Sequence, residues 1–339
     1  MASAAATPPP ARAETPPNSS GGDGAAASAT QPAKVVLCPG HSRPVVDVRY
    51  RVAHDGLCLL VSAAHDQKPM LRWADTGDWI GTYRGHQGAV WSASLDERGE
   101  RVATGSADFS AKLWDATSGR ELASLPHAHV VKTVDFSGGE RLLTGGLEKR
   151  AFVYDLGAQP ARVAALVHPD GVQKAVWASA LGRDAVVTGA TDGALRLWDV
   201  RASTDAPQLA VSLRGEGVAA AAAGKRAPVA DVEVHPDGTV VAVCGKRVSL
   251  LDARASLAAK RRLDVKFDAE AASLSPDGTR VAAGGSDLWL HVLDAETGAE
   301  TGTHKGHHGP IFCVRFDPAS GGKRCATGSE DGTVRLWVV

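Results

Sequence analysis

Serine or threonine, histidine and aspartate recur together along this chain, and the same three side chains form the catalytic unit of many hydrolases. In each set the hydroxyl residue stands four positions before the aspartate, a histidine precedes both, and a tryptophan follows. The sets are His41, Ser62, Asp66 and Trp73; His86, Thr104, Asp108 and Trp114; His168, Thr188, Asp192 and Trp198; and His307, Thr327, Asp331 and Trp337.

The repetition favours a structural role over catalysis. A hydrolase needs one such site, whereas here the set recurs four times along the chain. A buried indole N–H is a donor only, a hydroxyl can accept from it and donate to an imidazole, and the imidazole can donate to a carboxylate. We therefore predict structural tetrads, no catalytic residue and no enzyme activity.

Seven units can be aligned by their ends, and most intervals fall between 40 and 44 residues. A repeat of this length ending in Trp-Asp is typical of WD repeats. The third unit carries Glu148 and Tyr154 beside His129, and the fifth and sixth lack the histidine and the tryptophan. The aligned ends are LRWAD at 71, KLWDA at 112, FVYDL at 152, RLWDV at 196, SLLDA at 249, HVLDA at 291 and RLWVV at 335.

The elements that position these residues are short strands. Alternating apolar residues, such as Ile311, Val314 and Phe316, precede a small-residue strand and then the strand that ends at tryptophan. Four antiparallel strands fit each unit, so we predict an all-β fold, a seven-bladed WD40 propeller over residues 34–339. The last unit stops after its third strand, and the apolar residues 34–38 are expected to close the ring as the fourth.

Two segments fall outside this pattern. Residues 1–33 are rich in Ala, Pro, Ser, Thr and Gly and hold no aromatic residue, so we expect a disordered tail. The Ala-rich residues 215–228 in the fifth unit are expected to form a surface loop.

Charge balance, cysteine spacing and the lengths of apolar runs limit the classes of function that fit this chain. The 37 Lys and Arg residues nearly balance the 38 Asp and Glu residues, so the chain as a whole has no field that favours nucleic acid or an anionic membrane. The five cysteines show no CxxC pair and no zinc-ligand spacing, and we expect no metal and no cofactor. The chain has no long apolar run and no secretory signal, so we expect it in the cytoplasm and the nucleus.

Longer phrases carry a family resemblance. These are GHSRPVVDV at 40, KPMLRWADTGDWIGTYRGHQGAVW at 68, HAHVVKTVDF at 127, LLTGG at 142 and KGHHGPIFCVRF at 305. They resemble the serine-threonine kinase receptor-associated protein family from about residue 36 to 337, most specifically over residues 68–91. A weaker resemblance, through GTYRGHQGAVW and TGSADFSAKLWD, reaches the WD-repeat i subunit of eukaryotic translation initiation factor three.

The first resemblance implies a non-catalytic adaptor in assembly of spliceosomal ribonucleoproteins through the survival-of-motor-neuron complex, and so in mRNA splicing and processing. For animal members it also implies association with transforming-growth-factor-β receptors. The extra tail, the divergent fifth unit and the ending at the last blade depart from the animal pattern. We expect a monomeric propeller within a larger protein complex.

Two alternatives stay open. One is a scaffold resembling the i subunit of initiation factor three. The other is a substrate receptor of a cullin-type ubiquitin ligase, because Trp198-Asp199-Val200-Arg201 has the WDxR form of ligase-adaptor-binding propellers.

Partner contacts are expected on the propeller rims, in loops held by the rigid blades. Trp79 and Trp91 either anchor a partner or pack between blades. The basic cluster at 260–262, with Lys246 and Arg247, is read as a solvated loop that could also contact RNA. The candidate partner-binding residues are Arg43, His65, Lys68, Trp79, Gln87, Trp91, Lys132, Lys174, Arg201, His308 and Glu330.

Overall fold

A computed structural model describes residues 35–53, 55–202, 206–213 and 227–339. These residues form 28 strands in seven four-stranded antiparallel sheets. Helical structure within them is limited to two 3-10 turns, at Ser179–Leu181 and Pro318–Ser320. The predicted all-β propeller with seven blades is therefore confirmed.

Each of the first six blades uses four consecutive strands, ordered from the central channel outward. Blade one holds β2 Val45–Val52, β3 Cys58–Ala64, β4 Met70–Trp73 and β5 Trp79–Thr82; blade two holds β6 Val90–Leu95, β7 Arg101–Ser106, β8 Ser110–Asp115 and β9 Glu121–Pro126. Blade three holds β10 Val131–Ser137, β11 Arg141–Gly146, β12 Arg150–Asp155 and β13 Ala161–Val167; blade four holds β14 Val172–Trp177, β15 Ala185–Ala190, β16 Ala194–Asp199 and β17 Leu209–Ser212. Blade five holds β18 Val229–Val234, β19 Thr239–Cys244, β20 Arg247–Asp252 and β21 Ala258–Asp264; blade six holds β22 Ala269–Leu274, β23 Arg280–Gly285, β24 Leu290–Asp294 and β25 Glu300–His304.

Blade seven is built from both ends of the described chain. It holds β26 Ile311–Phe316, β27 Arg324–Ser329 and β28 Val334–Val338, and its outer strand is β1 Val36–Cys38. Strand β1 pairs antiparallel with β28, with Val36 opposite Leu336 and Cys38 opposite Val334. Closure by the N-terminal strand is thus confirmed. Lys34, the tail at 1–33 and most of the insertion at 215–228 lie outside the described residues.

Adjacent blades pack face to face through small and branched residues. The first residue of each inner strand is Val, Ala or Ile and is buried. A glycine follows the tetrad threonine in β7, β15 and β27, and a Cβ there would approach the next blade's valine too closely: 2.8 Å from Val131 at Gly105, 2.5 Å from Val229 at Gly189 and 2.6 Å from Val45 at Gly328. The Thr-Gly pairs in the sequence therefore reflect the close approach of neighbouring sheets.

Deleting residues 1–38 should destabilise the ring, because the edge of β28 loses its partner and blade seven its fourth strand. We expect the melting temperature to fall by roughly 5 °C or more, with association at higher protein concentration. Calorimetry and size-exclusion chromatography would measure both. Deleting residues 1–34 keeps β1 and is the matched control; equal melting temperatures for the two deletions would contradict the closure argument.

Candidate functional site

The histidine and the aspartate of each tetrad lie at one end of the propeller, which we call the upper rim. It consists of the loops that join the outer strand of one blade to the inner strand of the next, together with the turns between the second and third strands. In blade two these are the loop before Val90 and the turn at Ala107 to Phe109. Because antiparallel strands alternate in direction, both sets of connections lie at the same end.

Blades two and seven hold complete tetrads. In blade two the Trp114 indole donates to Thr104 Oγ1 at 2.8 Å, Thr104 Oγ1 lies 2.7 Å from His86 Nε2, and His86 Nδ1 lies 2.7 Å from Asp108. The corresponding distances in blade seven are 2.8, 2.6 and 2.9 Å. Both threonines are fully buried, and each hydroxyl is held between an indole and an imidazole. No substrate can reach these hydroxyls, so the geometry is that of a structural chain.

Blade four breaks the predicted chain at its last step. Trp198 donates to Thr188 at 2.9 Å, and Thr188 Oγ1 lies 2.8 Å from His168 Nε2. His168 Nδ1, however, lies 3.0 Å from the backbone carbonyl of Leu166, and Asp192 accepts from the guanidinium of Arg196. Arg196 is only four residues beyond Asp192 in sequence and takes the carboxylate that was expected to bind the histidine.

In blade one the prediction of Trp73 was wrong. His41 lies 2.8 Å from Ser62 and 2.9 Å from Asp66, as expected. The tryptophan position is held by Arg72, which stands opposite Leu60 as Trp114 stands opposite Val102. The next residue, Trp73, packs instead into the apolar layer between blades one and two. Counting six residues from Asp66, as in the other tetrads, would have identified position 72.

Blade three uses a different histidine from the one predicted. His127, not His129, contacts Glu148, with Nδ1 at 2.6 Å from the carboxylate. Tyr154 takes the tryptophan position but supplies no indole N–H to the threonine, Thr144. Among the described residues, His127 Nε2 and Thr144 Oγ1 are both buried without a hydrogen-bond partner.

Burial favours the neutral imidazole in the tetrads of blades two, four and seven. It lowers the pKa of His86 and His307, even though the neighbouring aspartates act in the opposite direction. Burial lowers the pKa of His168 to about 4, with a backbone acceptor that offsets only part of the effect. A neutral ring can accept at Nε2 and donate at Nδ1, as the tetrad requires.

Five of the candidate contact residues meet in one depression on the upper rim, with a volume of about 730 Å³. We call it the blade 1–3 pocket. It spans the loops and inner strands of blades one to three and is also lined by Asp66 and Leu147. The five candidates are Arg43, His65, Lys68, Trp91 and Lys132.

An aromatic and cationic stack forms the pocket floor. The His65 ring packs edge-on against Trp91 with centroids 4.4 Å apart, and Lys132 Nζ lies 2.9 Å from the Trp91 ring centroid. Trp91 and Lys132 are the second residues of β6 and β10, at the channel mouth. Burial, with a smaller contribution from the charge of Lys174, lowers the pKa of Lys132 to about 8. The tryptophan face attracts the ammonium form and so counteracts this effect.

Lys174 does not lie in a rim loop as predicted. It is buried in the channel, where its ammonium group lies 3.3 Å from Asp47 and 3.9 Å from Asp231. Arg315 donates to both oxygens of Asp231 at 2.7 and 2.8 Å. Arg49 lies 3.4 Å from Asp135. The available signal was a charged residue at the third or fifth position of the inner strands, and it was missed.

The other candidates are dispersed. Trp79 is 61% exposed on the outer strand of blade one and donates to Thr82 at 3.0 Å, so it lies on the side of the propeller and does not pack between blades. Gln87, His308 and Glu330 are exposed on the upper rim. Arg201 lies at the opposite end, exposed, 3.0 Å from Asp184 and 3.4 Å from Asp199.

The basic cluster at 260–262 was predicted to be a loop, and the structure places it in a strand. Lys260, Arg261 and Arg262 lie on the outer strand β21. Lys260 donates to Thr239 at 2.8 Å, and Arg261 lies 3.9 Å from Glu296. In the described part of the chain, no group of three potential metal ligands occurs and no helix is long and apolar enough to cross a membrane.

Comparison with known proteins agrees with this architecture. The family model for the WD domain, G-beta repeat, matches residues 77–115 and 298–338. A serine-threonine kinase receptor-associated protein of Bos taurus is 41% identical over 304 residues, covering 88% of this chain and 81% of the relative. One of Dictyostelium discoideum is 38% identical and covers 89% and 98%. Eukaryotic translation initiation factor 3 subunit I of Culex quinquefasciatus is 28% identical and covers 90% and 96%.

Replacing Thr104 by valine should cost about 1–3 kcal/mol of unfolding free energy, because Trp114 Nε1 and His86 Nε2 both lose their partner inside the core. The matched control is Thr144→Val in blade three, where the equally buried hydroxyl has no partner to lose. That variant should change stability little. Denaturant unfolding measures both variants. Equal losses of unfolding free energy in the two variants would contradict the stabilising role of the Thr104 hydrogen bonds.

Stability should fall as pH drops through the range between about 6.5 and 4. Unfolded His168 takes up its proton near the ordinary histidine value, whereas the folded residue does so only near pH 4, so the unfolded chain binds more protons in this window. His168 alone should account for about 2 kcal/mol between neutral pH and pH 5. Denaturant unfolding at both pH values measures this effect, and a His168→Gln variant should show a smaller difference; the same pH difference in both proteins would contradict the assignment.

Proposed function

This chain belongs to the serine-threonine kinase receptor-associated protein family, and from that membership we propose that it is a non-catalytic scaffold in the assembly of spliceosomal ribonucleoproteins and in mRNA processing. It is a WD-repeat protein, and the scaffold holds other proteins on a rigid ring. Its place of action is the cytoplasm and the nucleus.

The observation that carries the proposal is the extent of the similarity. Identity of 38–41% extends over 304 residues and 88–89% of this chain, so it is not confined to the repeats that any WD propeller shares. Residues 68–91, the most specific phrase of the family resemblance, include Lys68 and Trp91 of the blade 1–3 pocket. The most specific part of the family resemblance therefore contributes to a surface that faces solvent.

We propose no catalysis because a substrate cannot reach the tetrad hydroxyl groups. The hydroxyl group of each tetrad lies inside its blade, within hydrogen-bond distance of the tetrad histidine. A nucleophile has to reach its substrate, and the tetrad threonines are fully buried.

A second candidate is a scaffold within a translation initiation complex. It is favoured by the 28% identity to an initiation factor 3 subunit I over 90% of this chain. The lower identity places it behind the first proposal. The names of the closer relatives also suggest association with a serine-threonine kinase receptor, which we treat as a further partner to be tested.

Affinity purification of the tagged full-length chain, with mass spectrometry of bound proteins, tests the proposal. We expect Sm-class proteins and components of the survival-of-motor-neuron complex to be enriched from both cytoplasmic and nuclear extracts. An Arg43→Ala and Lys68→Ala double variant should lose them if the upper rim binds the partner. Arg262→Gln, on the outer strand of blade five, removes one charge far from the rim and serves as the control.

Other outcomes assign other functions. Enrichment of initiation factor 3 subunits in place of the ribonucleoprotein components would support the second candidate. Enrichment of ligase-adaptor subunits that is lost on Arg201→Ala would support a ubiquitin-ligase receptor. Loss of the expected partners on Trp79→Ala alone would move the binding surface to the side of blade one.

A further inference from the structure

We propose that the blade 1–3 pocket binds an extended, acidic segment of a partner protein, through carboxylates that pair with Lys132, Arg43 and Lys68. The inference rests on the proposed scaffold function and deepens it, because it names the chemistry of one partner.

The pocket carries unbalanced positive charge. Three cationic side chains line the pocket, and the only acidic residue in its lining is Asp66. The Asp66 oxygens already accept from His41 at 2.9 Å and from the backbone N–H groups of Ser42 and Lys68, both at 3.1 Å. Across the described residues, no carboxylate lies within ion-pair distance of Lys132, Arg43 or Lys68. The cations are therefore available to an external anion.

Lys132 is held in place before a partner arrives. Its ammonium group lies over the Trp91 ring, which in turn packs against His65, so the group is partly removed from water. A half-buried cation without a carboxylate is poorly satisfied, as the lowered pKa also indicates. A bound carboxylate would supply the missing charge in a fixed geometry with little ordering of the side chain.

The arrangement favours a peptide over single-stranded RNA. Proteins that bind single strands stack bases on open aromatic faces. The Trp91 face is covered by Lys132 at 2.9 Å, and the ring also packs against His65. What the pocket presents is cations beside small apolar patches such as Ala89, Val130 and Leu147. An extended chain with alternating acidic and small or apolar residues complements this pattern.

Fluorescence anisotropy with the purified full-length chain tests the proposal. The probe is a labelled twelve-residue peptide in which glutamate alternates with glycine and serine, and its control is the same peptide with glutamine in place of glutamate. Oligouridylate of the same length is the third ligand. The variants are Lys132→Met, which keeps an apolar stem over Trp91, and Arg262→Gln, which removes one positive charge from blade five. Circular dichroism checks that both are folded.

We expect the glutamate peptide to bind more tightly than the glutamine peptide and the RNA. Lys132→Met should weaken it about tenfold or more, since one charge-assisted contact is lost, while Arg262→Gln leaves it unchanged. No measurable binding of the glutamate peptide, equal binding of both peptides or an undiminished affinity in folded Lys132→Met would overturn the proposal. Tighter, Lys132-dependent binding of the RNA would also overturn it and assign the pocket to nucleic acid.

The two proposals fail separately. The peptide assay uses the purified chain alone, so its outcome does not depend on which complex the protein joins in cells. Co-purification of ribonucleoprotein components, in turn, can be retained through other surfaces if the pocket does not bind acidic peptides.

Discussion

The structure depends on the completion of a ring of sheets by three paired residues. Six blades take their strands in order along the chain, but blade seven gains its fourth strand only because β1 returns to β28. Without that pairing β28 would be an open edge, and blades seven and one would be joined by face packing alone. With it, seven inner strands converge on one channel, and every loop of the upper rim has a defined neighbour. Both the tetrads and the blade 1–3 pocket rely on those fixed neighbours.

The convergence places charges from distant parts of the sequence in contact. Asp47 in blade one meets Lys174 in blade four, and Asp231 in blade five meets both Lys174 and Arg315 of blade seven. These groups are buried, so each charge needs its partner. A charge network therefore links blades across the channel, and the same ring of inner strands brings Trp91 and Lys132 together at the mouth.

Sequence analysis correctly predicted the features that recur from blade to blade. It failed at single positions whose neighbours are set by the local geometry of a loop, a turn or the channel. Seven blades, their closure and the complete tetrads followed from intervals that recur with the same side chains. Trp73 was misplaced because one extra residue after Asp66 shifts the register and puts Arg72 at the position that tryptophan takes in the other tetrads. In blade three, His127 and His129 differ by two positions, and the rim loop alone selects between them. Lys174 could not be located because its partners lie 57 and 127 residues away and meet it only across the channel.

Blade one lies beside the joint of the ring, where β1 pairs with β28 in blade seven. On one side Val45, Val48 and Leu60 pack with Cys38 of β1 and with Val334 and Leu336 of β28. On the other side its loops supply Arg43, His65 and Lys68 to the pocket. The contacts that close the ring and the side chains that line the pocket therefore belong to the same blade.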